Sequence, residues 1–160
     1  MSDTVHPHTI DYSMITPNIY IGSDLCRGSY CPIHGEDFKK LGVCAEINLK
    51  AESKEIPPDE INIYAWLPVK DKEAPSYDQL KIGSAIIYEA VSNGNIIYVH
   101  CSQGHGRSPT MVASYFIRYQ KMSVADAILG ISKKRPEVHI EDVQKEELEK
   151  FKAKLSVVNI

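Results

Sequence analysis

The sequence lacks the features that would place it among membrane, secreted or nucleic-acid-binding proteins. No hydrophobic run reaches the ~18 residues that a transmembrane helix needs. The formal net charge is only −3, which gives no reason to expect nucleic acid or an anionic membrane as the main partner. The stretch Met1–His8 has neither the basic region nor the apolar core of a signal peptide. We therefore expect a cytoplasmic protein.

Cysteine is scarce, with four residues in a chain of 160. In an intracellular chain of this size four cysteines suggest free thiols and not a disulfide framework. No histidines and cysteines cluster at metal-ligand spacing, and we expect neither a metal nor a cofactor. Hydrophobic residues make up 43% of the chain and charged residues 24%, as in ordinary globular domains. Without repeats or low-complexity tracts, residues 1–160 are expected to form one domain, with a flexible N-terminal segment over residues 1–10.

Short apolar stretches alternate along the chain with stretches of helical periodicity. Strands are predicted as a pair within Tyr12–Ile21, over Val43–Leu49 and Ile61–Val69, and before His100; helices are predicted over Glu36–Leu41, Tyr77–Val91, Ser108–Lys121, Ser123–Lys133 and Ile140–Ala153. This alternation predicts a single α/β domain with a central, mostly parallel sheet flanked by helices. In such folds the functional site lies at the carboxyl ends of the strands.

The most informative segment, residues 99–109, reads Val-His-Cys-Ser-Gln-Gly-His-Gly-Arg-Ser-Pro. It lies between a strand-like run and the helix predicted from Ser108. In this arrangement backbone N–H groups and the positive end of the helix dipole converge on one point, which suits an anion. A thiol placed there has a lowered pKa. The segment therefore predicts a phosphate-binding loop with Cys101 at its floor.

The residue types in this loop match the needs of phosphoryl transfer. The thiolate of Cys101 is a nucleophile for phosphorus, and the planar fork of Arg107 matches two phosphate oxygens. The Ser108 hydroxyl is placed to donate a hydrogen bond to the Cys101 sulfur. The two glycines allow backbone conformations, including positive φ, that aim amides inward. The predicted phosphate-binding residues are Ser102, Gln103, Gly104, His105, Gly106 and Arg107.

The string His-Cys-x5-Arg-Ser resembles the signature of the cysteine-dependent protein tyrosine phosphatase superfamily. The chain is most similar to the compact dual-specificity type, from Tyr12 to about Phe151. The resemblance implies a metal-independent enzyme that dephosphorylates phosphotyrosine, and phosphoserine or phosphothreonine, in proteins through a phosphocysteine intermediate. It also implies that His100 supports the loop. We expect a monomer whose partner is a phosphorylated protein.

The resemblance further implies an aspartate general acid on a mobile loop roughly thirty residues before the cysteine. Asp71, in the charged loop Lys70–Pro75, lies thirty positions before Cys101 and is the best match. It would protonate the leaving oxygen and then deprotonate the attacking water. The larger tyrosine-specific enzymes carry Trp-Pro-Asp contiguously, whereas this chain does not. Glu73 and Asp78 therefore stay open as alternatives.

Several roles remain open on the sequence alone. Gln144 lies where the larger phosphatases place a water-positioning glutamine, but it also falls in a polar helix where glutamine is common. His105 is either a substrate contact or an exposed loop side chain. Because Ser102, Gln103 and His105 carry no fixed charge, phospholipids are disfavoured as substrates. Phosphoinositides or other phospholipids, glucans and RNA 5′-phosphates nevertheless remain alternative substrates, and a phospho-residue binding module and a sulfurtransferase are alternatives from other classes.

Overall fold

The computed structural model describes residues 11–24, 32–53 and 55–158, so the segment expected to be flexible, residues 1–10, lies outside the described part. The elements are β1 (Tyr12–Thr16), β2 (Ile19–Gly22), α1 (Pro32–Leu41), β3 (Val43–Lys50), β4 (Ile63–Val69), α2 (Tyr77–Ser92), β5 (Ile96–His100), α3 (Arg107–Tyr119), α4 (Val124–Lys134) and α5 (Asp142–Val158). Every predicted element is present. The largest differences are that α1 begins earlier and α5 ends later than predicted.

The five strands form one sheet in the order β1-β2-β5-β3-β4. The β1–β2 pair is antiparallel, as the turn at Pro17 and Asn18 requires, and the three remaining pairings are parallel. This confirms the predicted α/β domain with a mostly parallel sheet.

Local sequence signals explain where the helices begin and end. Gly42 has a φ of 76°, the left-handed conformation that commonly ends a helix, and it follows α1 directly. Ser76 begins α2 with a capping box shared with Gln79. Gly83 lies in the middle of α2, where a Cβ atom would be 2.3 Å from the sulfur of Met111. Its small size therefore permits the close approach of α2 and α3.

The sheet is buried on both faces. On one face apolar side chains of β2, β3 and β5 join residues of the last four helices in the main hydrophobic core. On the other face Phe38 of α1 packs with Val43, Ile61 and Tyr98 in a smaller apolar cluster. Polar and apolar side chains alternate along β3. The polar ones are buried, and with His100 they form a polar layer: Glu46, Asn48 and Lys50.

The loops that follow the carboxyl ends of β3, β4 and β5 meet at one edge of the sheet, where the sequence places the functional site. Residues 101–106 connect β5 to α3, and residues 70–76 connect β4 to α2. Within the described ranges, no helix has the length and apolar character needed to cross a membrane.

Candidate active site

The loop between β5 and α3 has the backbone of an anion site. Cys101 follows β5 directly and is 3% exposed. No side chain caps the N-terminus of α3, which leaves its first amides facing the loop. Gly104 has a φ of 74°, as predicted for a loop glycine. Gly106 differs, since its φ of −130° is open to any residue; its small size matters because Gln144 packs against it.

The Cys101 thiol has a surrounding that favours its ionised form. Its sulfur lies 3.2 Å from the Ser108 hydroxyl oxygen, the contact that the sequence predicts. Burial opposes ionisation, but the Ser108 hydroxyl, the backbone N–H groups of Ser108 and Gly104, and the charge of Arg107 together lower the pKa of Cys101. The thiol is therefore suited to act as a nucleophile near neutral pH.

Arg107 is held by a glutamate that the sequence did not identify. Its Nη1 and Nη2 atoms donate to the two carboxylate oxygens of Glu52 at 2.5 and 3.1 Å, and Nη1 also donates to the carbonyl oxygen of Val69 at 2.7 Å. The guanidinium is 2% exposed and lowers the pKa of Glu52. This two-point contact fixes the plane of the guanidinium at the cavity, where a lysine would have no equivalent geometry.

Of the three acid candidates, only Asp71 lines the cavity above Cys101. Its Oδ1 lies 3.7 Å from Nη2 of Arg107, and its side chain is exposed to solvent. The next residue, Lys72, has a φ of 66°, which turns the chain sharply beside the cavity. Glu73 is exposed and does not line the cavity, and Asp78 lies in the first turn of α2.

The cavity has a volume of about 270 Å³, and most of the residues that line it are polar or charged. It is lined by Asp71, Lys72, Cys101, Ser102, Gln103, His105, Gly106, Arg107, His139, Glu141 and Gln144. Thus the predicted loop residues Ser102, Gln103 and His105 do face it, and Gln144 lies beside them. No Phe, Tyr or Trp of the described residues belongs to this lining.

Arg135 holds the outer side of the loop between β5 and α3, although the sequence indicated only that a helix ends there. This guanidinium is fully buried and donates to the carbonyl oxygens of Gly104 and Gln103 at 2.9 and 2.8 Å. Its other contacts are with Asp11 and Ser13 of the first strand region. Because Arg135 binds these two carbonyl oxygens on the outside of the loop, the amide N–H groups between them are free to point into the cavity.

One group of described residues has ligand atoms close enough together for a metal ion. These are Asp24, Glu55 and His100, whose donor atoms all lie within 4.8 Å of one another. Lys50 already places its ammonium group on the Asp24 carboxylate, so a second cation would meet electrostatic repulsion. This donor set is better described as an internal network of ion pairs.

Comparisons with known proteins place this geometry in a family. The family model described as "Dual specificity phosphatase, catalytic domain" matches residues 28–154. The chain is 39% identical over 77 residues to the human phosphatidylglycerophosphatase and protein-tyrosine phosphatase 1, covering 48% of this chain and 38% of that protein. It is 32% identical over 119 residues to the Arabidopsis thaliana phosphatidylglycerophosphate phosphatase PTPMT2, covering 71% and 52%.

A third relative is a MAP kinase phosphatase with leucine-rich repeats, protein 3 of Dictyostelium discoideum, 29% identical over 151 residues, or 92% of this chain and 17% of that protein. The chain therefore spans about half or less of these relatives. Among solved structures, PTPMT1 in complex with PI(5)P superposes with a TM-score of 0.80 at 22% identity, covering 93% of this chain and 99% of that one. Human DUSP28 gives 0.79 at 20% identity, covering 91% and 99%. At these identities the two structures establish the fold.

Proposed function

The chain belongs to the dual specificity phosphatase family, and from that premise we propose that it hydrolyses phosphate monoesters through a covalent phosphocysteine on Cys101. Its substrates are phosphotyrosine and also phosphoserine and phosphothreonine in proteins. The observation that carries this proposal is the convergence of three groups on one cavity. They are the Cys101 thiol with its lowered pKa, the fixed guanidinium of Arg107 and the carboxylate of Asp71.

In the first step the Cys101 thiolate attacks phosphorus in line with the ester oxygen. The S–P bond forms as the P–O bond to the leaving group breaks. Asp71 gives its proton to the departing oxygen, so that an alcohol or phenol leaves. Arg107 and the amides of residues 102–107 bind the equatorial phosphate oxygens, whose charge they stabilise in the transition state.

In the second step a water molecule attacks the phosphocysteine. Asp71, now a carboxylate, accepts a proton from that water as the new P–O bond forms. The S–P bond breaks, and the electron pair returns to Cys101 as a thiolate that accepts a hydrogen bond from the Ser108 hydroxyl. Inorganic phosphate leaves, and because Asp71 now carries the proton taken from the attacking water, the enzyme is ready for a second turnover.

The polar lining of the cavity favours a second candidate substrate class, a phosphate ester of a polyhydroxylated alcohol such as a glycerophosphate or inositol headgroup. A phenyl ring gains most from apolar walls, and no Phe, Tyr or Trp of the described chain lines this cavity. Two of the relatives are also named for phosphatidylglycerophosphate. The same catalytic groups would therefore serve either substrate, and the polar lining is the feature that favours the polyol phosphate.

A substrate panel tests the proposal. The specificity constant kcat/KM is measured for phosphotyrosine and phosphothreonine peptides and for short-chain phosphatidylglycerophosphate and phosphatidylinositol phosphate, with Cys101→Ser as the blank. Peptides preferred at least about tenfold, a difference of about 1.4 kcal/mol, would support the protein substrate. The reverse order would transfer the assignment to the polyol phosphate. Hydrolysis of none of them would reject both.

A further inference from the structure

Beneath the phosphate loop, two glutamates meet one nitrogen of a histidine. Nε2 of His100 lies 2.7 Å from Oε1 of Glu46 and 3.1 Å from Oε1 of Glu55. The histidine and Glu46 side chains have no exposed surface, and that of Glu55 is 3% exposed. An ionised carboxylate can only accept, so the charged Glu55 requires that Nε2 carry a hydrogen.

The second ring nitrogen of His100 faces the backbone of Cys101. Nδ1 of His100 lies 3.4 Å from the carbonyl oxygen of Cys101, which is also an acceptor. A neutral imidazole has one N–H group, so it can donate at only one of the two nitrogens. Because both nitrogens of His100 face acceptors, the arrangement fits a doubly protonated ring. His100 is then a buried imidazolium cation one residue before Cys101.

The positive and negative charges of the groups around the His100 ring are equal in number. Burial alone would hold the pKa of His100 down, but the hydrogen bonds that its ring donates to Glu46 and Glu55 raise it well above its usual value. Burial also raises the pKa of Glu46 to about 8, so this carboxyl keeps its proton at neutral pH. The other titratable groups that the described residues place around the ring are the Lys50–Asp24 ion pair, the charged Glu55, and Tyr64 and Tyr98. Two cations therefore face two anions.

Stability does not account for this cluster. One oxygen of Glu46 and one of Glu55 are buried without a hydrogen-bond partner among the described residues. Buried polar atoms in this state are costly, and apolar residues of similar volume often replace buried ion pairs without loss of stability. An effect on the neighbouring loop offers a reason for keeping the cluster.

We infer that Glu46 and Glu55 are positioning residues for the nucleophile, which act through His100 on the backbone of Cys101. Donation from Nδ1 keeps the Cys101 carbonyl oxygen turned away from the phosphate cradle, where its partial negative charge would oppose a phosphate dianion. A neutral His100 with its hydrogen on Nε2 would instead present a lone pair to that carbonyl. This inference rests on Cys101 as the nucleophile of the proposed function.

The protonation state of His100 is tested without any turnover by ¹⁵N NMR of the histidine-labelled wild-type protein. We expect the His100 ring to show two protonated nitrogens at all points between about pH 5.5 and 8, where an ordinary histidine titrates. A single neutral tautomer at pH 7 would overturn the inference. Because the measurement needs only folded protein, it stays informative even if the proposed phosphatase activity fails.

The effect on the nucleophile is tested with Glu55→Gln, which removes the anion that faces the ring. The matched control is Glu60→Gln, because Glu60 also has a buried oxygen without a partner. For Glu55→Gln we expect kcat/KM to fall about tenfold to a hundredfold, the cost of a misplaced catalytic group. The pH at which iodoacetamide half-maximally alkylates Cys101 should also rise. Glu55→Gln and Glu60→Gln behaving alike in both assays would overturn the inference.

Discussion

The side-chain nitrogen of Gln144 lies 3.0 Å from the carbonyl oxygen of Glu73, a hydrogen bond that joins α5 to the loop carrying Asp71. The side-chain oxygen of Gln144 accepts from the backbone N–H of Glu141 at 2.9 Å. The residue is 1% exposed and packs against Gly106. Gln144 therefore connects the loop that carries Asp71, the start of α5 and the loop between β5 and α3.

Gln144→Ala is expected to free the Asp71 loop and so to weaken proton donation to the leaving group. Alkyl phosphates, whose leaving groups need that proton, should lose about tenfold to a hundredfold in kcat/KM, and p-nitrophenyl phosphate much less. A water-positioning role predicts a different defect, in which the phosphocysteine forms at the normal rate and then accumulates. A pre-steady-state burst of p-nitrophenol in the variant, with unchanged kcat/KM for alkyl phosphates, would contradict the loop role.

Asp71→Asn should abolish proton donation while leaving the cavity intact. General acid catalysis contributes about 10²–10⁴-fold, so alkyl phosphates are expected to lose activity on that scale, and aryl phosphates with good leaving groups far less. In the wild type, kcat should fall toward higher pH as the general acid loses its proton. This fall should be absent from the variant. Glu73→Gln is the control, since Glu73 does not line the cavity. An equal loss in the control would move the assignment to Glu73.

The ion pair between Arg107 and Glu52 predicts that a substitution of Arg107 lowers activity more than a substitution of Glu52. Arg107→Lys loses the planar fork and should lower kcat by about a thousandfold, as removal of a phosphate-binding arginine does in other phosphoryl transfer enzymes. Glu52→Gln keeps Arg107 but replaces one charged acceptor, so the loss should be smaller and should include weaker inhibition by inorganic phosphate. Steady-state kinetics with phosphate as inhibitor measure both. A larger loss in Glu52→Gln than in Arg107→Lys would contradict this order.

The buried polar layer predicts that stability falls as pH rises. Glu46 has an ordinary pKa of 4.5, raised to about 8 in the fold, so the folded state holds the extra proton between these values. The free energy of unfolding therefore decreases from about pH 4.5 to 8. His100, whose pKa is raised above 6.5, acts in the same direction above that pH. Glu55 acts oppositely: its pKa is lowered, so its contribution is lost as pH falls below about 4.5.

Urea unfolding at pH 5, 6.5 and 8 measures this dependence, with Glu46→Gln as the variant that cannot titrate. The variant should lose less stability than the wild type over that interval, because only His100 still contributes the downward slope. Parallel pH dependences in the two proteins would show that Glu46 ionises normally in the fold.

The order of elements and the position of the loop between β5 and α3 could be predicted from the sequence because their signals are local. The loop around Cys101 and Arg107 combines a strand, glycines and a helix start within a dozen residues. The proposal of Asp71 as the general acid required the family resemblance, since one aspartate in a charged loop has no distinctive pattern. In each case the information lies in neighbouring residues or in a known spacing.

The contacts that complete the site are long-range, and nothing local indicates them. Glu52 is 55 positions from Arg107, and Arg135 is 31 positions from Gly104. The alternation of polar and apolar residues along β3 does not show what covers its polar side, and the structure places α1 and the connection carrying Glu55 there. The charged side chains of this layer are buried because they pair with one another.

The most direct test of the central claim is hydrolysis of p-nitrophenyl phosphate by the reduced wild type and by Cys101→Ser, with EDTA and dithiothreitol present. The account predicts turnover in the wild type with a bell-shaped pH profile, a trapped phosphocysteine after rapid acid quenching, and no turnover in the variant. Cys101→Ser that keeps wild-type activity, or reduced wild type without any, would contradict it.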